Sequence, residues 1–216
     1  MTQSSNRPDA QLIPIRRGVD LPRRARDPRI DAFRGLALIM IIIDHMPGNP
    51  WEHLTIRNIG FSDAAEAFFI MSGIAAGIAY SPAIGRWMSG DLRLWDTVAP
   101  LWRRAWQLYI VHIVLTVAAI GLYAWAADTF VRSEFRVMHN LALLYEQTGA
   151  AMAGLVTLGY QIGYVNILPS YTVLLLAGPV LIAAVLYAPR TTLAVAGAFW
   201  LYAGATRLTI PNHPGG

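Results

Sequence analysis

The sequence predicts an all-α fold: a polytopic transmembrane helix bundle with about five spans and a cytoplasmic N-terminus. Composition is the first observation, because 55% of the 216 residues are hydrophobic and only 14% are charged, whereas a soluble domain carries about 25% charged residues. The second is a series of apolar segments close to the ~20 residues that cross a bilayer. The third is an uneven distribution of arginine. Together they exclude a disordered chain and an ordinary soluble enzyme.

The chain divides into a polar arm and an apolar remainder. Residues 1–29 are rich in proline and arginine, so we expect a disordered cytoplasmic arm, followed by a membrane domain over 30–216. The predicted spans are 30–46, 61–80, 101–127, 168–188 and 191–208. A further stretch, 138–164, mixes small apolar residues with polar ones. For it we expect an interfacial or re-entrant helix, with a full span as the alternative.

Arginine sets the predicted orientation. All 17 basic residues are arginine, and twelve of them fall on the side of the N-terminal arm against four on the opposite side. Because cytoplasmic loops retain positive charge, the arm is predicted to be cytoplasmic. This orientation accounts for the basic composition without nucleic acid as a partner. Cysteine is absent and no histidine spacing suits a metal, so neither a disulfide nor a metal site is expected.

Two polar residues share one face of the first predicted helix. Arg34 and His45 are eleven residues apart, which is close to three turns and about 16 Å along the axis. Arginine suits a phosphate group, and histidine suits general-base chemistry near neutral pH. The alternatives are that Arg34 extends to the interface, paired with Asp31, and that His45 complements the helix dipole. Asp44 points about 100° away from His45 and is expected to pair elsewhere.

The second predicted helix begins with acidic residues near the end where His45 lies. Asp63 and Glu66 are three apart, so either can orient the His45 ring, although the same spacing is also an N-terminal capping pattern. Ser72 lies further along, and a serine in a buried helix more often bonds to its own backbone.

The third predicted helix carries Arg104 and His112, eight residues apart and roughly on one face. Arg104 suits the cytoplasmic interface. A histidine within the membrane is a functional candidate, with satisfaction by a neighbouring helix as the alternative.

Several motifs in these helices are similar to those of one family. The run Asp31-Ala-Phe-Arg-Gly-Leu-Ala-Leu with Asp44-His45, and the run Phe68-Phe-Ile-Met-Ser-Gly, resemble the integral-membrane acyltransferase superfamily. The stretch from Gly60 to Glu66, the stretch from Arg104 to His112, and the Leu-Pro-Ser-Tyr run at 168–171 resemble the OpgC family more closely. That family comprises succinyltransferases of osmoregulated periplasmic glucans.

The resemblance implies a bundle of about ten spans in the bacterial inner membrane, of which residues 30–216 are the N-terminal half. The remaining spans would come from a longer protein or from a second chain. It implies no bound cofactor, an acyl-CoA co-substrate (succinyl-CoA) and a hydroxyl of a periplasmic glucan as acceptor, with the lipid bilayer as surroundings. His45 would be the catalytic base, with Asp63 and Glu66 beside it. The residues implied in donor and substrate binding are Arg34, Asp31, Asp44, Ser72, Arg104 and His112.

Two other functions fit the residues without the resemblance. In a proton- or solute-coupled transporter fragment, Asp44, His45 and Glu66 would form a relay, and the Gly178–Pro179 pair would break a helix. In a non-catalytic membrane subunit, the basic arm would bind anionic lipid headgroups. The resemblance favours the acyltransferase.

Overall fold

A computed structural model describes residues 27–46, 48–60, 62–163 and 165–208. Every regular element in this part of the chain is helical, which agrees with the predicted all-α class. Residues 1–26 of the predicted arm lie outside the described residues. The described part of the chain contains eight α-helices: α1 (Pro28–Asp44), α2 (Ile56–Ile59), α3 (Ala64–Met88), α4 (Leu94–Thr129), α5 (Ala142–Glu146), α6 (Thr148–Val156), α7 (Ile167–Tyr187) and α8 (Pro189–Thr206).

The first helix begins inside the stretch that was predicted to be a disordered arm. Asp27 is its N-cap and accepts a hydrogen bond from the backbone N–H of Arg29 at 2.9 Å. Pro28 occupies the first turn, where its fixed φ suits a helix and its missing N–H costs nothing. These two local signals start α1 at Pro28, two residues before the apolar segment.

Three helices, α3, α4 and α7, are long and apolar enough to cross a membrane. They contain the second, third and fourth predicted segments. The first and fifth segments form α1, of 17 residues, and α8, of 18 residues, and neither reaches the same combination of length and hydropathy.

Two of the candidate spanning helices, α3 and α4, extend beyond the predicted apolar segments. The α3 helix continues to Met88 instead of ending at Tyr80, and α4 begins at Leu94 instead of Leu101. Pro82 and Pro100 lie inside these extensions, and membrane helices tolerate proline because the freed carbonyls find other donors. Hydropathy therefore predicts the apolar part of each helix, whereas the helical hydrogen bonds of α3 and α4 continue into more polar residues beyond it.

The bundle is held together along α4 and α7. A buried stripe of α4 that includes Leu101, Ala105 and Leu108 faces α7. The helices approach closely at Gly178 of α7, where a Cβ atom would lie 2.8 Å from Leu101 Cδ2. Beside this contact, the Trp102 indole N–H donates to the Leu176 carbonyl at 3.3 Å. The α3 helix packs against α7, and α1 packs against α3.

The ambiguous stretch over 138–164 forms a compact hairpin beside α4. Its longest helix, α6, has nine residues, about 14 Å, which is too short to span a bilayer. The chain returns to its start, because the Gly163 N–H donates to the His139 carbonyl at 3.0 Å and the Tyr160 hydroxyl donates to the Asn140 carbonyl at 2.9 Å. Burial raises the pKa of the Tyr160 phenol, which keeps that donor protonated. No helix in the described part of this stretch has the length of a span, and its re-entrant or interfacial placement stays a prediction.

Gly178→Val is expected to destabilise the bundle, because Leu101 is fully buried and cannot move away from an added side chain. Overpacking of this kind costs about 1–3 kcal/mol. Gly77→Val is the matched control, since a Cβ at Gly77 meets no atom within 4 Å. Thermal unfolding of the purified protein in detergent measures both variants. Equal melting temperatures for the two would contradict the close α4–α7 contact.

Candidate active site

His45 caps the C-terminal end of α1 with its ring close to the last helical turn. The ring Nδ1 lies 2.6 Å from the Ile41 carbonyl oxygen. A carbonyl oxygen only accepts, so Nδ1 carries the proton and the neutral ring keeps its lone pair on Nε2. The His45 side chain is exposed. This tautomer is the one that a general base needs, and the capping position is also the one expected for a histidine that complements the helix dipole.

Asp44 is tied to the loop that follows α1. The Thr55 hydroxyl lies 2.6 Å from Asp44 Oδ1 and donates to it. Thr55 is 2% exposed and Asp44 is half-buried, so the bond is partly shielded from solvent; the Glu52 carbonyl also lies within 2.8 Å of the same hydroxyl. It fixes the end of α1, and therefore the base of the His45 side chain, against the loop that leads to α3. The expectation that Asp44 pairs elsewhere than with His45 agrees with this bond.

The capping alternative for Asp63 is confirmed. Asp63 is the N-cap of α3, and its Oδ1 accepts hydrogen bonds from the backbone N–H groups of Ala65 at 2.9 Å and Glu66 at 3.0 Å. The Glu66 side chain itself is exposed. A role for either carboxylate in orienting His45 stays a prediction.

Arg34 reaches from α1 across to α3. Its Nη1 lies 3.8 Å from Asp31 Oδ1, which is an ion pair and too long for a hydrogen bond. Its Cζ lies 5.5 Å from the centre of the Phe68 ring, a cation–π distance. The Nε atom is buried and has no hydrogen-bond partner. The predicted pairing with Asp31 is therefore present, but it leaves one donor of the guanidinium unused.

Ser72 and His112 are also buried without full satisfaction. Ser72 Oγ has no partner, so the expected hydrogen bond to its own helix is not formed. His112 is fully buried, and its Nδ1 lies 3.4 Å from the Thr116 hydroxyl. The Val165 backbone lies within hydrogen-bonding reach of the ring, although Nε2 has no partner in good hydrogen-bond geometry.

These three atoms are the buried side-chain nitrogens and oxygens without a hydrogen-bond partner in the described part of the chain: Arg34 Nε, Ser72 Oγ and His112 Nε2. Each such atom costs about 1–3 kcal/mol, and native proteins contain few of them. All three belong to residues that the sequence predicts to bind substrate. Three buried donors without partners suit a ligand that offers several acceptor oxygens.

Two aromatic rings connect these positions. Phe68 contacts Arg34 through its face and Tyr171 of α7 edge-on, with 6.0 Å between the ring centres. Ser72 lies one turn beyond Phe68 on α3. Tyr171 packs against a cluster that contains Leu108, one turn before His112 on α4. These contacts connect α1, α3, α7 and α4 at residues one helical turn from Ser72 and from His112.

Arg104 and His112 are separated by burial, which corrects the expectation of one shared face. Arg104 is exposed and its Nη1 lies 3.4 Å from Gln107 Oε1, whereas His112 is fully buried. Eight residues turn a helix by about 80° beyond two full turns, enough to move one residue off the buried stripe. Arg104 instead lies within electrostatic range of Tyr80.

Sequence reasoning missed Thr55, Phe68, Thr116 and Tyr171 as residues of this region. For Thr116 a signal was available, because a threonine four residues after a histidine on a helix lies beside its ring. The contacts of Thr55 and Tyr171 join different elements, and no spacing along the chain predicts them.

Thr55→Val is expected to destabilise the protein by about 1 kcal/mol, because the half-buried Asp44 carboxylate loses the hydroxyl that donates to it. Thr55→Ser keeps the hydroxyl and is expected to melt close to the wild-type temperature. Thermal unfolding and hydrogen exchange over residues 48–60 measure the effect. Wild-type protection of this loop in Thr55→Val would show that the bond does not hold it.

Comparison of the sequence with known proteins identifies the family of this chain. The family model described as OpgC protein matches residues 26–216. No curated protein matches the chain, and no solved structure matches it. The matched range covers nearly the whole sequence and contains every residue of the site described above, and it agrees with the family that the motifs of the first two helices resemble. This chain belongs to the OpgC family.

Proposed function

We propose that this protein is a membrane acyltransferase that moves a succinyl group from cytoplasmic succinyl-CoA to a hydroxyl of a periplasmic glucan. Family membership implies an acyltransferase. The observation that carries the proposal is the set of three buried polar atoms without partners, at Arg34, Ser72 and His112. An acyl-CoA thioester and a succinyl carboxylate offer the acceptor oxygens that such donors require.

The proposed topology has five spans in the inner membrane with the N-terminal arm in the cytoplasm. The α1 and α8 helices complete the three spans formed by α3, α4 and α7. At 17 residues, α1 is about 25 Å long, close to the thickness of the hydrocarbon core. Its charged residues are compatible with this position because Arg34 turns toward α3 and Asp44 toward Thr55. The acceptor then approaches from the side where α1 ends.

In the proposed mechanism His45 is the general base. Its Nε2 lone pair takes the proton of the acceptor hydroxyl as that oxygen attacks the thioester carbonyl carbon. The tetrahedral intermediate collapses with cleavage of the C–S bond. The CoA thiolate leaves and takes the proton that His45 removed from the hydroxyl. The products are a succinyl ester of the glucan and free CoA. The hydrogen bond from Nδ1 to the Ile41 carbonyl holds the tautomer that this step needs.

The remaining residues are proposed to position the substrates. Arg34 binds an acceptor oxygen of the donor with Nε, while Asp31 holds its other end. Ser72 and His112 contact the acyl group. Arg104, exposed toward the proposed cytoplasmic end of α4, contacts the phosphates of CoA. Asp63 and Glu66 lie at the start of α3 and shape the acceptor entrance. Asp44 fixes the end of α1.

His45→Ala is expected to lower succinyl transfer by about 10²–10⁴-fold, the range for loss of a general base. Wild type and variant are expressed in a host without its own glucan succinyltransferase, and the succinyl mass added to periplasmic glucans is measured by mass spectrometry. His53→Ala is the matched control, because His53 is exposed and lies in the neighbouring short helical turn.

Three outcomes of that experiment are informative. Succinylated glucans from wild type and His53→Ala, but not from His45→Ala, support the enzyme and its base. Full activity in His45→Ala would remove the base from the mechanism. Unmodified glucans with the wild-type protein, shown to be present in the membrane, would contradict the proposed function and favour the transporter or the non-catalytic subunit.

Arg34→Lys is expected to lower transfer about as strongly as Arg34→Met, because lysine keeps the charge but cannot replace the Nε–H of a planar fork. The same glucan assay measures both. Arg57→Met is the control, since Arg57 is exposed on α2, between α1 and α3. Wild-type activity in Arg34→Lys would show that only the positive charge of Arg34 matters.

A further inference from the structure

His112 and Thr116 form a buried pair within α4. Both residues are 0% exposed, and the Thr116 hydroxyl lies 3.4 Å from His112 Nδ1. Other buried threonines of the bundle behave differently: Thr97 and Thr172 donate to the carbonyl four residues before them, at 3.1 Å and 2.8 Å. Thr116 instead turns its oxygen toward the imidazole.

Counting hydrogen-bond donors and acceptors selects the tautomer of the His112 ring. If the proton is on Nε2, Nδ1 accepts from the Thr116 hydroxyl and only the Nε2–H lacks a partner. If the proton is on Nδ1, it donates to Thr116, and both the Nε2 lone pair and the Thr116 hydroxyl hydrogen lack partners. Each unsatisfied buried group is costly. The first arrangement leaves one such group instead of two, so Nε2 is a donor.

That donor lies inside the bundle, next to the start of α7. The Val165 backbone lies within reach of the ring, and no partner in good hydrogen-bond geometry satisfies Nε2. Leu108, one turn earlier on α4, belongs to the cluster against which Leu168 and Tyr171 pack. A histidine that only supports packing is expected to complete its hydrogen bonds with a neighbouring helix. His112 holds a fixed, desolvated N–H, which is the property of a group that stabilises a developing negative charge.

We propose that the His112 Nε2–H donates a hydrogen bond to an oxygen of the acyl group during transfer, and that Thr116 positions this donor by setting the ring tautomer. The inference rests on the acyltransferase function proposed above. Two oxygens of a succinyl donor have the required chemistry: the thioester carbonyl, which becomes an oxyanion as the hydroxyl attacks, and the free carboxylate at the other end. His112 touches substrate in either case, whereas Thr116 acts through it.

The test uses the full chain in lipid nanodiscs, with transfer to a glucan oligosaccharide measured from succinyl-CoA and from propionyl-CoA. His112→Leu removes the donor at similar volume and is expected to lower kcat by about 10²-fold. His112→Gln places an amide N–H close to the position of Nε2 and is expected to retain more activity. A loss with both donors assigns the contact to the thioester carbonyl, and a loss with succinyl-CoA alone assigns it to the carboxylate.

Thr116→Val and Thr116→Ser test the positioning role. Thr116→Val is expected to lower kcat with little change in KM, and Thr116→Ser is expected to restore it. Thr97→Val is the control, because it removes an equally buried hydroxyl of the same helix that bonds only its own backbone. Melting temperatures of all variants separate lost activity from lost folding.

A third measurement does not depend on activity. Nitrogen NMR of histidine-labelled protein, with His112→Gln to assign the signal, reports which ring nitrogen carries the proton. An Nε2–H tautomer that changes in Thr116→Val supports the proposal. An Nδ1–H tautomer in the wild type overturns it, as does wild-type kcat in His112→Leu. Absence of transfer by wild type from succinyl-CoA would instead overturn the proposed function, while the tautomer still decides the hydrogen-bond assignment.

Discussion

The constraint on which this structure depends is the cost of placing polar atoms among apolar helices. In the described part of the chain, the buried hydroxyls of Thr97 and Thr172 are satisfied by helical carbonyls one turn away. Arg34 Nε, Ser72 Oγ and His112 Nε2 depart from this rule. Their cost has to be met by the packing of the surrounding helices. The sites where a fold bears such a cost are typically the sites where it functions.

The α4–α7 contact supplies that packing. Gly178 lets α7 approach Leu101 closely, and the Trp102–Leu176 hydrogen bond fixes the two helices beside it. With α7 held in place, Tyr171 is directed at Phe68 of α3, and Phe68 in turn lies under the Arg34 guanidinium. Four helices are thereby connected through two rings. A shift of α7 would move the surroundings of Arg34 and His112 together.

Contacts at the two ends of the first helix hold His45, the proposed general base, in place. Its start is fixed by Asp27 and Pro28, and its end by the bond between Asp44 and Thr55. His45 then follows as the C-cap, with its own helix accepting the Nδ1–H. The contacts of Asp27 and of the His45 ring lie within four residues, whereas the bond between Asp44 and Thr55 joins α1 to the segment that follows it. For His112 we propose that Thr116, one turn away on α4, sets the ring tautomer.

The sequence by itself determined the helical class, the three strongest candidate spans and the family motifs, because composition and periodicity act within one helix. Asp63 as a cap and Asp31 beside Arg34 were likewise readable, since both contacts lie within three residues. Only the tertiary structure decided that Arg104 and His112 differ in burial, that 138–164 returns on itself, and that Phe68 and Tyr171 join the helices. The physical reason is that burial, chain reversal and ring contacts depend on which helices become neighbours, and a hydrophobic pattern specifies a buried face without specifying the partner that covers it.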